Sequence, residues 1–471
     1  MQHNEQRDLL RALAAVPDPR HRRGVRYRLV SLLAVAVCAV LAGATTFAAI
    51  GDWAADLDEA ARRQLGFLGR IPAGSTVWRF LVRIDAQVLQ AVLTGWLRHR
   101  LPARPVLGRK DRMVIAVDGK LLRGARLPDG RHVHLLSAYD TDTGIVLAQV
   151  AIAAKSNEIP AFTVGAQGIP LAGRNPLTQF PWSPLAMDRG WSLAVRGTGP
   201  TSARAKSSTE ERAGQGNGGR TSSRMPPLPG PALVVPQRNS VSRSQRNAVS
   251  VHITPLLDQL RAQVGSLAGT IIVADALHAQ VGHAHAVNVR DGQLMVTVKA
   301  NQPTLHPQLK QLPWAQVPVG YRTRDRGHGR RETRTVKALT VATPGGLGFP
   351  HAEQAVRITR TRTASGKTTR ETAYLIVTLP ADAAQPDQLG DWARREWHIE
   401  NRLHWVRDVT LAEDAHQARI GNGPAVAAVL RNTAIGYHRS NGEPNIARAT
   451  RRANRRTHDL ISAVTSTPRT Q

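Results

Sequence analysis

RMVIAVDGK, Arg112 to Lys120, runs through β-branched apolar residues into an acid, Asp118, and turns basic at Lys120. GTIIVADALH (Gly269–His278) repeats the pattern and delivers Asp275. A carboxylate that comes after four or five apolar residues is poorly solvated unless a buried strand carries it to an end that faces a site. Around these two runs lie other strand patterns. HVHLLSAYD (His132–Asp140) and TGIVLAQVAIA (Thr143–Ala153), joined by the turn DTDTG (Asp140–Gly144), predict an antiparallel meander with the first run. QLMVTVKANQ (Gln293–Gln302) predicts another strand, and residues 320–380 alternate polar and apolar as an antiparallel β region with Arg and Thr on its wet face. TPLLDQLRAQV (Thr254–Val264) predicts a helix capped by Thr254, with Pro255 at its first position. Residues 387–437 read as helical, and the Arg-rich tail past Pro444 as frayed. The fold class is therefore α/β.

Residues 1–105 predict a helical unit. Leu9, Leu10 and Leu13 form a first stripe, PDPRHRRG (Pro17–Gly24) a basic turn, and GSTVWRFLVRID (Gly74–Asp85) a helix capped by Ser75 or Thr76. LVSLLAVAVCAVLAGATTFAAI (Leu29–Ile50) has the length of a membrane span. Its many Ala, its Ser and Thr residues and Gly43 favour a buried helix or helix pair, so no membrane association is expected. Residues 163–253 are rich in Gly, Pro, Ser, Thr and Arg without periodicity, and read as a disordered insertion; a basic arm that grips DNA is the alternative.

The charge narrows the partners. The 471 residues hold 63 Lys and Arg against 34 Asp and Glu, a formal +29. That excess is self-repelling unless a polyanion neutralises it, and nucleic acid is the commonest such partner. The single cysteine, Cys38, excludes an intrachain disulfide or a Cys-based zinc site and fits a reducing, cytoplasmic setting.

A third acid, Glu400, lies in REWHIENRLHWVRDV (Arg395–Val409), with His404 and Arg407 on its face at helical spacing. Two strand-end acids and one helical acid can converge on hard divalent cations and activate a water or a 3′-hydroxyl for in-line phosphoryl displacement. Position alone leaves other readings open. A strand-end Asp also caps turns, a helical Glu is also simply solvated, and Asp140, Asp142, Glu158, Asp408, Glu413 and Asp414 are equally available. The histidines near Asp275 and Glu400 (His278, His283, His285, His398 and His404) have no standard structural-zinc spacing.

The blocks VIAVDGKLLRGA, KSNEIPAF, VADALHAQ, VKANQPTL, GHGRRETR and WHIENRLHWVRDVTLAEDAHQAR occur in this order. They resemble those of bacterial insertion-sequence DDE transposases, the branch with the H-repeat-associated proteins, over most of residues 5–162 and 254–440. The resemblance implies a ribonuclease-H-like mixed sheet core over 106–162 and 254–440, with a β-rich insertion at about 305–380. It also implies an N-terminal helical transposase-associated domain over 1–105, beside a basic tail over 441–471. It assigns Asp118, Asp275 and Glu400 as catalytic Mg²⁺ ligands, with Mn²⁺ as a substitute. It implies double-stranded DNA as partner, both element ends and target, and a homodimer on DNA. Lys120, Arg123, Lys299, Arg330, Arg331, Arg394 and Arg407 are the expected DNA contacts, and Arg322, Arg324 and Arg326 join them as candidates from the β region. Departures exist: where the wider group has Tyr, Arg and Lys around the catalytic Glu, this chain has Ala393, Glu396 and Arg407, and Arg394 or Arg395 stands in. The expected activity is DNA strand cleavage and strand transfer. A nuclease that cuts without joining, or a decayed or domesticated DNA-binding copy, would keep much of the same sequence.

Overall fold

The Arg112–Lys120 run opens a 14-residue strand, β1 (Met113–Arg126), longer than the sequence pattern predicts, so Asp118 sits within a strand rather than at its end. β2 (His132–Asp140) and β3 (Val146–Ile152) continue from it as the antiparallel meander. On its other side β1 pairs in parallel with β4 (Thr270–Ala274), and β4 with β5 (Gln293–Val298). Four antiparallel strands extend the sheet from β5: β6 (Tyr321–Gly327), β7 (Arg330–Thr340), β8 (Gln354–Ala364) and β9 (Lys367–Val377). The nine strands form one sheet in the order β3-β2-β1-β4-β5-β9-β8-β7-β6. The chain is thus mixed α/β, in a computed structural model that describes residues 8–102, 112–152 and 243–465, apart from 22, 24, 128, 328 and 342–345, with backbone alone at 243–252. The expected insertion up to residue 242 lies outside the described residues.

Alternation along the strands sorts the core into two layers. Ile115, Val117, Ile272, Leu294 and Val296 face one layer, with Leu256, Leu257 and Leu260. Val114, Ala116, Ile271, Val273 and Met295 face the other, with Leu389, Trp392, Ile399 and Leu403. Asp118, Asp275 and Lys299 continue this second alternation, so the two acids share the face that the Glu400 helix covers.

The helices are α1 (Leu9–Leu13), α2 (Leu29–Leu41), α3 (Phe47–Ala55), α4 (Glu59–Gln64), α5 (Gly74–Leu81), α6 (Ala86–Arg100), α7 (Arg243–Val264), α8 (Val281–Asn288), α9 (Leu305–Gln311), α10 (Pro386–His398), α11 (Gly423–Ser440), α12 (Ile446–Arg455) and α13 (Thr457–Thr465). The apolar Leu29–Ile50 run resolves into α2, buried from Ser31 to Leu41, and the start of α3. No single described helix is long and apolar enough to cross a membrane. α3 and α5 cross so closely that a Cβ on Gly51 would lie 2.5 Å from the Gly74 Cα.

Three boundaries differ from expectation. α5 is capped by Ala73 without a side-chain bond, not by Ser75 or Thr76. α7 begins at Arg243, eleven residues before the predicted cap Thr254, and carries Pro255 inside. The ring costs one backbone bond there but does not end the helix, because Leu256, Leu257 and Leu260 anchor the next turns in the core. As far as residue 465, where the described part of the C-terminal tail ends, it is not frayed: Ile446, Ala449, Leu460, Ile461 and Val464 are buried. Arg100 donates to the Ala463 carbonyl at 3.0 Å, Gln64 to Ser462 and Thr465 at 3.1 Å, and the Trp96 and Tyr437 rings stack at 5.7 Å, so both ends of the chain build one helical body.

Candidate functional site

β4 pairs β1 only as far as Val117 opposite Ala274. Asp118 is therefore the first β1 residue without its parallel neighbour, and Asp275 is the matching residue just past β4. The Gly119 N–H donates to Asp118 Oδ1 at 2.8 Å. Glu400 arrives from elsewhere. After α10 the helix widens into π-turns over Ile399–His404 and Val406–Thr410, a local form that recurs at functional sites. One ligand atom each from Asp118, Glu400 and His404 lies within 4.8 Å of the others. His404 Nδ1 stands 3.3 Å from Glu400 Oε2 and 3.5 Å from Asp118 Oδ2. Two acids from distant parts of the chain thus share one histidine.

The electrostatics reflect that bridge. Burial disfavours charge on Asp118, but the His404 hydrogen bond and charge outweigh it and hold the carboxyl below its ordinary range. Glu400 is lowered chiefly by its hydrogen bond to His404, against partial burial. Burial works to discharge His404, yet its bonds to Asp118 and Glu400 prevail and raise its pKa. Nearby, burial pushes His278 down to about 4, with Asp118 opposing, so this imidazole is neutral.

Asp275 stands outside the group of three. Its carboxylate accepts from the Leu277 N–H at 2.9 Å and caps the short turn Ala276–His278. Sequence reading placed His404 on the Glu400 face by i+4 spacing but gave it no role.

The expected DNA contacts divide. Arg407 is corrected outright: it is fully buried, with bonds of 2.8 and 2.9 Å to Glu413, while Arg431 reaches the same carboxylate at 3.3 Å. α-helical spacing puts residue i+7 on the Glu400 face; the wider π-turns carry it round to the interior. Burial works against charge on Glu413, but Arg407 and Arg431 overcome it and lower its pKa. Lys120 is also corrected: it is 8% exposed and its Nζ lies 2.6 Å from Asp408, tying β1 to the π segment. Asp408 is itself raised by burial, against the pull of Lys120. Arg123 stays exposed, 3.4 Å from Asp414, and Lys299 is exposed just past β5. Arg394 lies 3.4 Å from Asp325, and Arg395 pairs with Asp142 and Asp391.

In the β6–β9 arm, residues that face each other across strands share a side. Arg322, Arg324 and Arg326 of β6 stand opposite Thr335, Thr333 and Arg331, and the row continues through Thr359, Thr361 and Thr363 without a carboxylate. Arg330 shares the other side with Asp325, Glu332 and Arg334. There Glu332 is bonded to Arg360 at 2.6 Å and paired with Arg334.

Two family models match the chain. The one described as Transposase DDE domain covers residues 236–436, and the DDE_Tnp_1-associated model covers residues 10–97. "Putative transposase YncI" of Escherichia coli O157:H7 is 23% identical over 446 residues, 91% of this chain and 86% of that protein. "H repeat-associated putative transposase YhhI" of Escherichia coli K12 is 22% identical, over 92% of this chain and 90% of its own length. A solved piggyBac transposase synaptic complex with hairpin DNA aligns at TM-score 0.34 and 10% identity, over 99% of this chain and 78% of that one.

Proposed function

Since this chain belongs to the DDE transposase family, with H-repeat-associated relatives, we propose that it cleaves DNA strands and joins them to a target, using Asp118, Asp275 and Glu400 to hold divalent metal. One observation carries the reading. Asp118 and Glu400, far apart in sequence, converge on one point, and Asp275 is the first residue past β4, next after the Val117–Ala274 pair. The strand order β3-β2-β1-β4-β5, antiparallel and then parallel, supports a ribonuclease-H-like core, and β6–β9 reads as its β-rich insertion.

The donor set fits the metal. The Asp118 and Glu400 carboxyls have pKa values held low enough to be ionised at neutral pH, and hard oxygen donors suit Mg²⁺, with Mn²⁺ as substitute. Bound there, the metal would supply charge neutralisation and an activated oxygen nucleophile. The protein's own groups do the rest. Gly119 orients the Asp118 carboxylate, Lys120 fixes the π segment through Asp408, and the Arg407–Glu413–Arg431 cluster locks the adjoining turn against α11. His404 holds the two acids together and keeps their mutual repulsion low until cation arrives. Lys299, Arg123 and the acid-free face of the β arm offer phosphate contacts for double-stranded DNA, and both DNA ends would be served by a homodimer, acting in the cytoplasm.

The test is strand cleavage by the full chain on duplex carrying the ends of its own element. We expect nicking with Mg²⁺ or Mn²⁺, none with chelator, and retained DNA binding in both cases. Cleavage that persists in chelator would overturn the metal assignment.

A further inference from the structure

At the exit of β5 the block VKANQPTL (Val298–Leu305) places two amides, Asn301 and Gln302, over the turn that follows Asp275. Val296 pairs with Ala274, and β5 then runs on to Val298 while β4 stops at Ala274. The exit turn of β5 therefore overhangs the exit turn of β4. Asn301 Nδ2 donates to the Ala276 carbonyl at 2.7 Å, and Gln302 Nε2 donates to the Ala279 carbonyl at 2.5 Å. Pro303 disfavours helical backbone at Gln302, which keeps both amides in the turn ahead of α9. That turn is itself anchored. The Gln302 N–H donates to the Lys299 carbonyl at 2.9 Å, the Gln302 carbonyl accepts from the His306 N–H at 3.1 Å, and Leu305 and Leu309 of α9 are buried.

From this crossing we propose that Asn301 and Gln302 are positioning residues for the metal site: they clamp the turn Ala276–Ala279 and so fix the Asp275 carboxylate where it meets the ion. The inference rests on the proposal that Asp275 is a metal ligand. The peptide between Ala276 and Leu277 carries both the carbonyl that Asn301 holds and the N–H that Asp275 Oδ1 accepts, at 2.9 Å. One planar group thus links the Asn301 amide to the Asp275 carboxylate, and its plane sets where that carboxylate points. A donor on the carbonyl also polarises the peptide and strengthens its N–H bond to Asp275. Gln302 holds the far end of the same turn at Ala279.

Burial makes the clamp hard to replace. Ala276 and Ala279 are 4% and 2% exposed, so water is a poor substitute for either amide, and a carbonyl that loses its donor is left unsatisfied. Relief comes only if the peptide rotates toward water, and the Leu277 N–H then swings away from Asp275. A ligand set works only when it is held within roughly 0.5 Å of its productive geometry. Partners that orient a ligand from behind therefore matter nearly as much as the ligand itself.

The test is Mn²⁺ binding to the full chain without DNA, read from the loss of the free-ion signal in electron paramagnetic resonance. Asn301→Ala and Gln302→Ala should each weaken Mn²⁺ binding roughly 10-fold, the scale of losing a partner behind a ligand. Asp275→Asn should weaken it too. Adding Asn301→Ala to Asp275→Asn should cost nothing more, because the clamp acts only through that carboxylate. A merely structural role would not show this coupling. In metal-free samples both amide variants should speed hydrogen exchange at Leu277 and His278, whose N–H groups bond to Asp275. Gly51→Ala, which strains the α3–α5 crossing instead, should leave Mn²⁺ affinity as it is. Parental affinity in both amide variants, a further loss in the double variant, or an equal loss in Gly51→Ala would overturn the clamp. Parental affinity in Asp275→Asn would remove Asp275 from the metal site and the clamp with it, so that one variant tells the two failures apart.

Discussion

Glu413→Gln should be among the most damaging single changes in the protein. Its carboxylate is 2% exposed and accepts two bonds from Arg407, which is fully buried, and one from Arg431, which is 4% exposed. Removing one partner of a buried ion pair costs about 3–5 kcal/mol, because a buried charge is left uncompensated. Here two guanidiniums are left facing each other, which puts the expected loss at the upper end. A chain of this size loses about 1 °C of melting temperature per kcal/mol, so the drop should be roughly 3–5 °C by calorimetry. Arg407→Gln should lose about as much. The triple change Arg407→Met, Glu413→Leu, Arg431→Met should recover part of the loss, as apolar replacements of buried ion groups do. Recovery stays partial because Arg431 also donates to the Thr45 and Leu411 carbonyls, at 2.6 and 3.3 Å. If Arg407→Gln leaves melting unchanged and lowers the salt dependence of DNA binding by about one phosphate, the residue is a DNA contact after all and the buried-cluster account is wrong.

His404 predicts a pH dependence. Its pKa is raised above 6.5 in the folded protein, so its bridge to the acids stabilises fully below that value and is lost as pH climbs through the raised one. The metal-free melting temperature should fall across that window, while the gain on adding Mg²⁺ grows as the competing proton leaves; a gain that shrinks with rising pH would contradict this. Replacing Arg322, Arg324, Arg326 and Arg331 together with Gln should reduce the slope of log affinity against log salt by about three to four, at about 0.9 per phosphate, whereas Arg330→Gln should leave it unchanged. An unaltered slope in the quadruple variant removes that face from the interface. Gly51→Ala should cost roughly 1–3 kcal/mol in urea unfolding, since its Cβ meets the Gly74 backbone at 2.5 Å; an Ala variant as stable as the parent would mean that α3 and α5 can separate freely.

Alternation made the sheet legible. The runs at Met113–Val117, Thr270–Ala274 and Gln293–Val298 announce strands because their two faces are buried in different layers. The placement of Asp118 and Glu400 is legible by the same logic, one on the alternation of β1 and one on a helix face. The fate of Arg407 was not readable, because periodicity assumes α-turns and nothing in NRLHWVRDV advertises π-turns. Lys120 and Asp408 were each visible, but their pairing joins residues 288 positions apart and depends on packing. The same holds for the tail. Arg448, Arg451 and Arg452 suggested fraying, while the buried Ile446, Leu460 and Ile461 that dock it were too sparse to register. Pro255 was read as a helix start, a local preference that the helix around it overrides.

The central claim is that Asp118, Asp275 and Glu400 hold the metal that cuts DNA. Its most direct measurement is Mg²⁺-dependent nicking of element-end duplex by Asp118→Asn, Asp275→Asn and Glu400→Gln, with duplex affinity measured on the same samples. The account predicts that each variant loses cleavage by at least about 100-fold, the scale of removing a group that stabilises transition-state charge, and keeps near-parental DNA affinity, because phosphate contacts supply most of it. Near-normal cleavage by any one of the three would remove that residue from the metal site and contradict the account.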